Sequence, residues 1–118
     1  GVLLSVLLRK PPETIPFESL SMAIGRRLAV RMGELTGLPV QVKPPNDLLV
    51  GGKKFSGILC EARWRADRLE WIVVGVGIDV NVRDFPEELR ATATSLALAA
   101  GRDFDVETIV DRDADDIG

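Results

Sequence analysis

The 118-residue sequence contains no histidine. That removes every Ser-His or Cys-His nucleophile pair and every histidine metal site, so proton or charge chemistry falls to carboxylates, lysine or arginine. Cysteine is scarce: Cys60 stands alone, which excludes an internal disulfide and suits a reducing, cytoplasmic setting. Positive charge is not in excess. The formal net charge is −3 and no basic patch dominates, so nucleic-acid binding by this segment is not indicated. Long hydrophobic runs are missing too; "GVLLSVLL" is too short to span a bilayer, so no membrane is implied. The chain opens on Gly1 with no Met and no signal peptide, as an excerpt of a longer protein would. What is present is ordinary: 46% hydrophobic and 28% charged residues, enough chain for one small domain with one core.

The apolar run Val2 to Leu8 reads as a buried strand that ends at "RKPPET". In "PFESLSMAIGRRLAVRMGELTG", Leu20, Ala23, Ile24, Leu28 and Leu35 fall near helical spacing. Pro16 suits the first turn of that helix and Gly37 its stop. "LPVQVK" reads as the next strand. "KFSGILCEARW" and "LEWIVVGVGIDVNV" read as two more, joined by a turn near Ala66-Asp67. "FPEELRATATSLALAAG" predicts a turn, a short helical piece and a helix ending at Gly101. Asp105 is placed to cap a further helix. The apolar pattern stops after Val110, so the expected division is a domain over residues 1–110 and a frayed tail over 111–118.

The stretch "KPPNDLLVGGKKFSGIL" is the most informative. Gly51-Gly52 fits a two-residue hairpin turn that needs positive φ at both positions. An unbroken ladder from that turn pairs Leu49 with Lys54, Leu48 with Phe55 and Asp47 with Ser56. It puts Asp47, Leu49, Lys54, Ser56 and Ile58 on one face. Registering the next hairpin on Ala66-Asp67 sets Ser56 opposite Gly77, Ile58 opposite Gly75 and Lys54 opposite Asp79. Ile72, Val74, Val76, Ile78 and Val80 then form an aliphatic face for packing, with Gly75, Gly77, Asp79 and Asn81 on the other. A lysine among carboxylates over a bare glycine floor could hold an anion and a divalent metal together, which suits ATP-dependent chemistry. Plainer readings stand beside this one. A lysine near a Gly-Gly turn is usually a solvated edge residue, strand glycines often mark bulges, and Asn46-Asp47 after Pro45 is by default a turn. "GVGIDV" is not a dinucleotide fingerprint, because Val80 takes the third glycine's place and no helix follows directly.

At these residues the sequence resembles biotin protein ligases. The resemblance is carried by "KPPNDLLVGGKKFSGILCE", then "GVGIDVN", then "FPEELRATATSL", with "GVLLSVLLRKP" leading in; it spans about residues 1 to 110. It implies an α/β (α+β) fold: a mixed sheet with packed helices, related to class II synthetases and lipoate ligases. It implies ATP-dependent activation of biotin as biotinyl-adenylate, with Mg2+, and transfer to a lysine of a biotin carboxyl carrier domain. By resemblance Lys54 contacts biotin and the adenylate and is the catalytic cation. Gly57 lies at the biotin. Asn46 and Asp47 lie near ATP and its magnesium, and Asp79 stands at the nucleotide-metal end, so Asp47 and Asp79 are the metal candidates. The location implied is cytoplasmic, and a homodimer through the sheet edge is compatible with the family.

Three departures from the family pattern matter. Its Gly- and Arg-rich loop is expected ahead of Gly1, and "GRR" at Gly25 to Arg27 is no substitute because it falls within the helix. Pro44 stands where the family has tryptophan, and Asp79 where it has asparagine. The alternatives are a lipoate or octanoyl ligase or transferase relative, and a non-catalytic module that binds a carrier domain or dimerises.

Overall fold

The computed structural model describes residues 1–9 and 17–110. Strand β1 (Val2–Arg9) is followed by helix α1 (Phe17–Thr36), then β2 (Gln41–Lys43), β3 (Asp47–Val50), β4 (Lys53–Arg65) and β5 (Arg68–Ile78). A 3-10 turn at Glu87–Leu89 and helix α2 (Leu96–Ala100) come next, and residues 106–110 are helical. One five-stranded sheet has the order β1-β5-β4-β3-β2. Its four ladders are antiparallel, and the parallel component is an isolated bridge between Lys54 and Ala93. Helices on a sheet of this kind bear out the expected α+β class. The "RKPPET" turn, Pro16 and the tail expected over 111–118 lie outside the described residues.

The core forms where expected. Ile72, Val74, Val76, Ile78 and Val80 are all at most 3% exposed. Against them lie Leu28, Ala29 and Met32 of α1, Leu96 of α2, and Ile109. Each such aliphatic side chain contributes roughly 1.5–3 kcal/mol on burial, so β5 anchors the domain. On α1 the expected inward face holds at Leu28, with Ile24 and Leu35 packed against the core; Ala23 is exposed, and Ala29 and Met32 are buried as well. α1 stops at Gly37, whose φ of 73° no β-carbon favours and whose N–H donates to the Gly33 carbonyl at 2.8 Å. Asp105 caps the last helix: its carboxylate accepts from the Glu107 N–H and the Thr108 hydroxyl.

Two expected registers do not hold, and both fail through a bulge. Gly51 and Gly52 have φ of 60° and 78° and turn the hairpin as expected, pairing Val50 with Lys53 and Leu49 with Lys54. The ladder then shifts by one, so Leu48 pairs with Ser56 and Asp47 with Gly57, leaving Phe55 as the extra residue. In the second hairpin Trp64 faces Leu69, but Arg63 faces Trp71, leaving Glu70 extra. Beyond it Ser56 lies opposite Ile78, Gly57 opposite Gly77 and Ile58 opposite Val76. Ser56 and Ile58, expected beside Lys54, are therefore in the core at 2% exposure each. The Ser56 hydroxyl donates to the Gly77 carbonyl at 2.7 Å. Packing is the physical reason: Phe55 and Ile58 are both large and apolar, three residues apart, and an unbroken strand would leave one of them in water.

Candidate functional site

The sheet face away from the core carries two adjoining depressions, of about 500 and about 490 Å³. They share Asp47, Lys54, Gly57 and Gly77. The first runs along the outward residues of β4 and β5 and includes Asn46, Leu59, Trp71 and Gly75. The second includes Asp79, Thr92 and Ala93. All five residues expected at a site, Asn46, Asp47, Lys54, Gly57 and Asp79, border one or both.

Lys54 is the junction. Its ammonium lies 3.2 Å from the Asp47 carboxylate, with the lysine side chain half exposed. It crosses above Gly57: a β-carbon there would meet Lys54 Cε and Nζ at 3.3 Å. The bare backbone is thus what lets the cation lie flat against the sheet. Asp47 reaches it from β3, where it pairs directly with Gly57. Asn46, in the turn between β2 and β3, accepts the Ile58 N–H at 2.8 Å through its carbonyl and so fixes that turn to β4.

Lys54 is not paired with Asp79, contrary to expectation. The Lys54 N–H donates to the Thr92 carbonyl at 2.8 Å, and its carbonyl accepts the Thr94 N–H at 2.9 Å. Asp79 instead sits beside the bulge, its N–H donating to the Phe55 carbonyl at 2.8 Å. Partial burial pushes the Asp79 carboxyl above its ordinary value, against the opposing pull of Lys54. Asn81, on the same face by alternation, is committed to structure. It donates to the Phe104 carbonyl and accepts the Phe104 N–H, each at 2.9 Å.

Several lining residues were not singled out from the sequence. Trp71 and Val73 share the parity of Gly75 and Gly77 on β5, so alternation alone could have found them. Leu59 and Glu61 emerge only once the Phe55 bulge is known. Thr92 and Ala93 come from a non-local strand contact that no periodicity announces.

Asp47 and Asp79 both border the second depression, as does Lys54, which is ion-paired with Asp47. Mg2+ commonly takes one or two carboxylates and completes its shell with phosphate oxygens and water, so this donor set fits it when phosphates are present. Among the described residues no group of three or more His, Cys, Asp or Glu could hold a metal ion unaided.

An antiparallel sheet with helices on one face and a lysine-centred depression on the other is an α+β domain with a candidate small-molecule site. The chain belongs to the biotin/lipoate A/B protein ligase family, whose pattern matches residues 1–79. It is 41% identical over 111 residues to the bifunctional ligase/repressor BirA of Bacillus subtilis, covering 89% of this chain and 33% of that protein. The apo structure of biotin protein ligase from Aquifex aeolicus superposes with a TM-score of 0.85 at 32% identity, covering 98% of this chain and 49% of that one. The Aquifex aeolicus enzyme in complex with biotin and ATP gives a TM-score of 0.79 at 30% identity, with 98% and 49% covered. The chain thus spans about a third of the length of the Bacillus subtilis relative and about half of the Aquifex aeolicus structures.

Proposed function

We propose that residues 1–110 form part of the catalytic domain of a cytoplasmic biotin protein ligase, and that Lys54 is its central cation. The observation that carries this reading is the ammonium laid over the Gly57 floor, 3.2 Å from Asp47, at the meeting point of the two depressions. The first depression, walled by Leu59, Val73 and Trp71, suits the apolar body of biotin. The second, edged by Asp47 and Asp79, suits the phosphates of ATP. A biotin carboxylate oxygen attacks the α-phosphorus of ATP, and the bond from that phosphorus to the bridging oxygen breaks, giving biotinyl-adenylate and pyrophosphate. A carrier-domain lysine amine then attacks the biotinyl carbonyl and AMP leaves.

Lys54 contributes charge placement. Before reaction it offers the carboxylate a partner stronger than water would be in a partly enclosed site, and during transfer it stabilises charge on the carboxylate and phosphoryl oxygens. Asp47 holds the lysine in place until substrate arrives. Asp47 and Asp79 would hold Mg2+, which supplies charge neutralisation on the phosphates.

The test is formation of biotinyl-adenylate, with release of pyrophosphate, by the intact protein from biotin and ATP. Lys54→Ala is expected to lower that rate about a hundred- to a thousandfold, as loss of a preorganised donor does, while leaving the fold standing. Lys54→Arg is expected to be impaired as well, because a broad planar fork does not fit where a compact ammonium lies on glycine. Unaltered rates in Lys54→Ala return the lysine to a solvated edge role. Reaction with lipoate or octanoate in preference to biotin moves the assignment to the lipoate side of the family. No adenylate from any of these acids leaves a binding module.

A further inference from the structure

Lys54 lies on β4 and Asp79 just beyond the end of β5, yet a single short segment holds the main chain of both. Thr92 and Thr94 bracket Lys54, at 2.8 and 2.9 Å. Two residues further on, the Leu96 N–H donates to the Asp79 carbonyl at 3.0 Å, and the Ala97 N–H to the Val80 carbonyl at 2.8 Å. Between these contacts Ser95 is fully buried, at 0% exposure. Its hydroxyl donates to the Val82 carbonyl and accepts the Leu98 N–H at 3.1 Å, so it also caps α2. The β3–β4 ladder breaks at Phe55, immediately beside Lys54, so the ladder alone does not fix the lysine on that side.

We infer that residues 92–97 form a strap that sets the Lys54 ammonium relative to Asp79, and that Ser95 is its positioning residue. The assignment deepens the reading of Lys54 as the activating cation and rests on it for its kinetic consequence. Ser95 touches no substrate. It fixes the midpoint of a segment whose two ends hold the two charged residues. Loss of the buried hydroxyl leaves the part-buried Val82 carbonyl and the Leu98 N–H without that partner, and the strap relaxes at its centre. The lysine then swings on a less defined backbone, and a misplacement of an ångström at a reacting centre can lower a rate about a hundredfold.

Two changes in the intact protein test this. Ser95→Ala removes the anchor. An ester in place of the Ala93–Thr94 amide removes only the N–H that Lys54 accepts, and leaves every side chain as it was. Each is examined at a temperature where circular dichroism shows it folded. The first readout is competitive acetylation with acetic anhydride, comparing Lys54 with its exposed neighbour Lys53, which needs no turnover. Lys54 is expected to be protected in the wild type and to approach Lys53 in both variants. The second is single-turnover biotinyl-adenylate formation, expected to fall about tenfold or more at saturating substrates while the KM values change little. An unchanged acetylation ratio in folded variants overturns the proposal, and so does a rate loss confined to KM or matching the unfolded fraction. A changed ratio in a protein whose wild type makes no adenylate upholds the strap and refutes the ligase reading instead.

Discussion

Adding one methyl group to the floor beneath the lysine separates the site from the fold. In Gly57→Ala the new carbon would lie 3.3 Å from both Cε and Nζ of Lys54 and 3.9 Å from an Asp47 carboxylate oxygen. Ordinary carbon contacts settle at roughly 3.5–4.0 Å, so something must give by a few tenths of an ångström. The part that gives is the flexible end of a half-exposed lysine, which is inexpensive to move. The strand itself gains, since alanine is about 0.5–1 kcal/mol better than glycine inside a regular element. Folding stability is therefore expected to stay within about 1 kcal/mol of wild type. The lysine is lifted off the sheet, and adenylate formation is expected to fall about ten- to a hundredfold, scaled from the effect of an ångström-sized misplacement. Urea unfolding followed by circular dichroism gives the first quantity, and single-turnover biotinyl-adenylate formation the second. A stable variant with wild-type rate and KM would refute the idea that the lysine must lie flat. A variant that loses several kcal/mol would show that Gly57 serves the strand instead.

Val76→Asp puts an unpaired carboxylate at a position 1% exposed, and is expected to destabilise by about 3 kcal/mol or more; near-wild-type thermal unfolding would contradict the core described here. Asp79→Asn is expected to stabilise the fold at neutral pH. A carboxyl raised above its ordinary 3.8 binds more protons folded than unfolded, so stability falls as pH rises from that value through the raised one. The advantage of asparagine should therefore fade as pH drops below about 4, and an advantage independent of pH would remove burial of charge as its cause. Ala66 holds φ at 52°, where a β-carbon is strained, so Ala66→Gly is expected to raise stability by about 0.5–1 kcal/mol in a thermal melt; a loss of stability would mean that the turn depends on the methyl group.

Much of this arrangement is legible from residue type and alternation. The aliphatic face of β5 can be read from Ile72 to Val80, because only one parity of that strand is uniformly apolar. The Gly51-Gly52 turn, the Gly37 and Gly101 stops and the Asp105 cap are local, each decided by its own backbone needs, and each is where its residue type places it. The bulges are not local. Phe55 and Glu70 become extra residues only because strands on both sides compete for the same core. The clue at Phe55 is two large apolar residues an odd distance apart, but a regular ladder from the Gly51-Gly52 turn points the other way. The contact of Lys54 with residues 92–94 bridges nearly forty positions. No short-range pattern encodes it.

The extra residue at Phe55 also constrains how the chain length can vary. Positions three apart on a regular strand point to opposite sides, so Lys54 and Gly57 would ordinarily never meet. They meet because one residue between them is not counted by the ladder. Removing one residue here, or adding one, would preserve almost every amino acid and still part the lysine from its glycine. Substitutions at this spot grade the site up or down, whereas a change of length acts as an on-off switch. Homologous sequences should therefore vary in the identity of residues 55 and 56 far more readily than in their number.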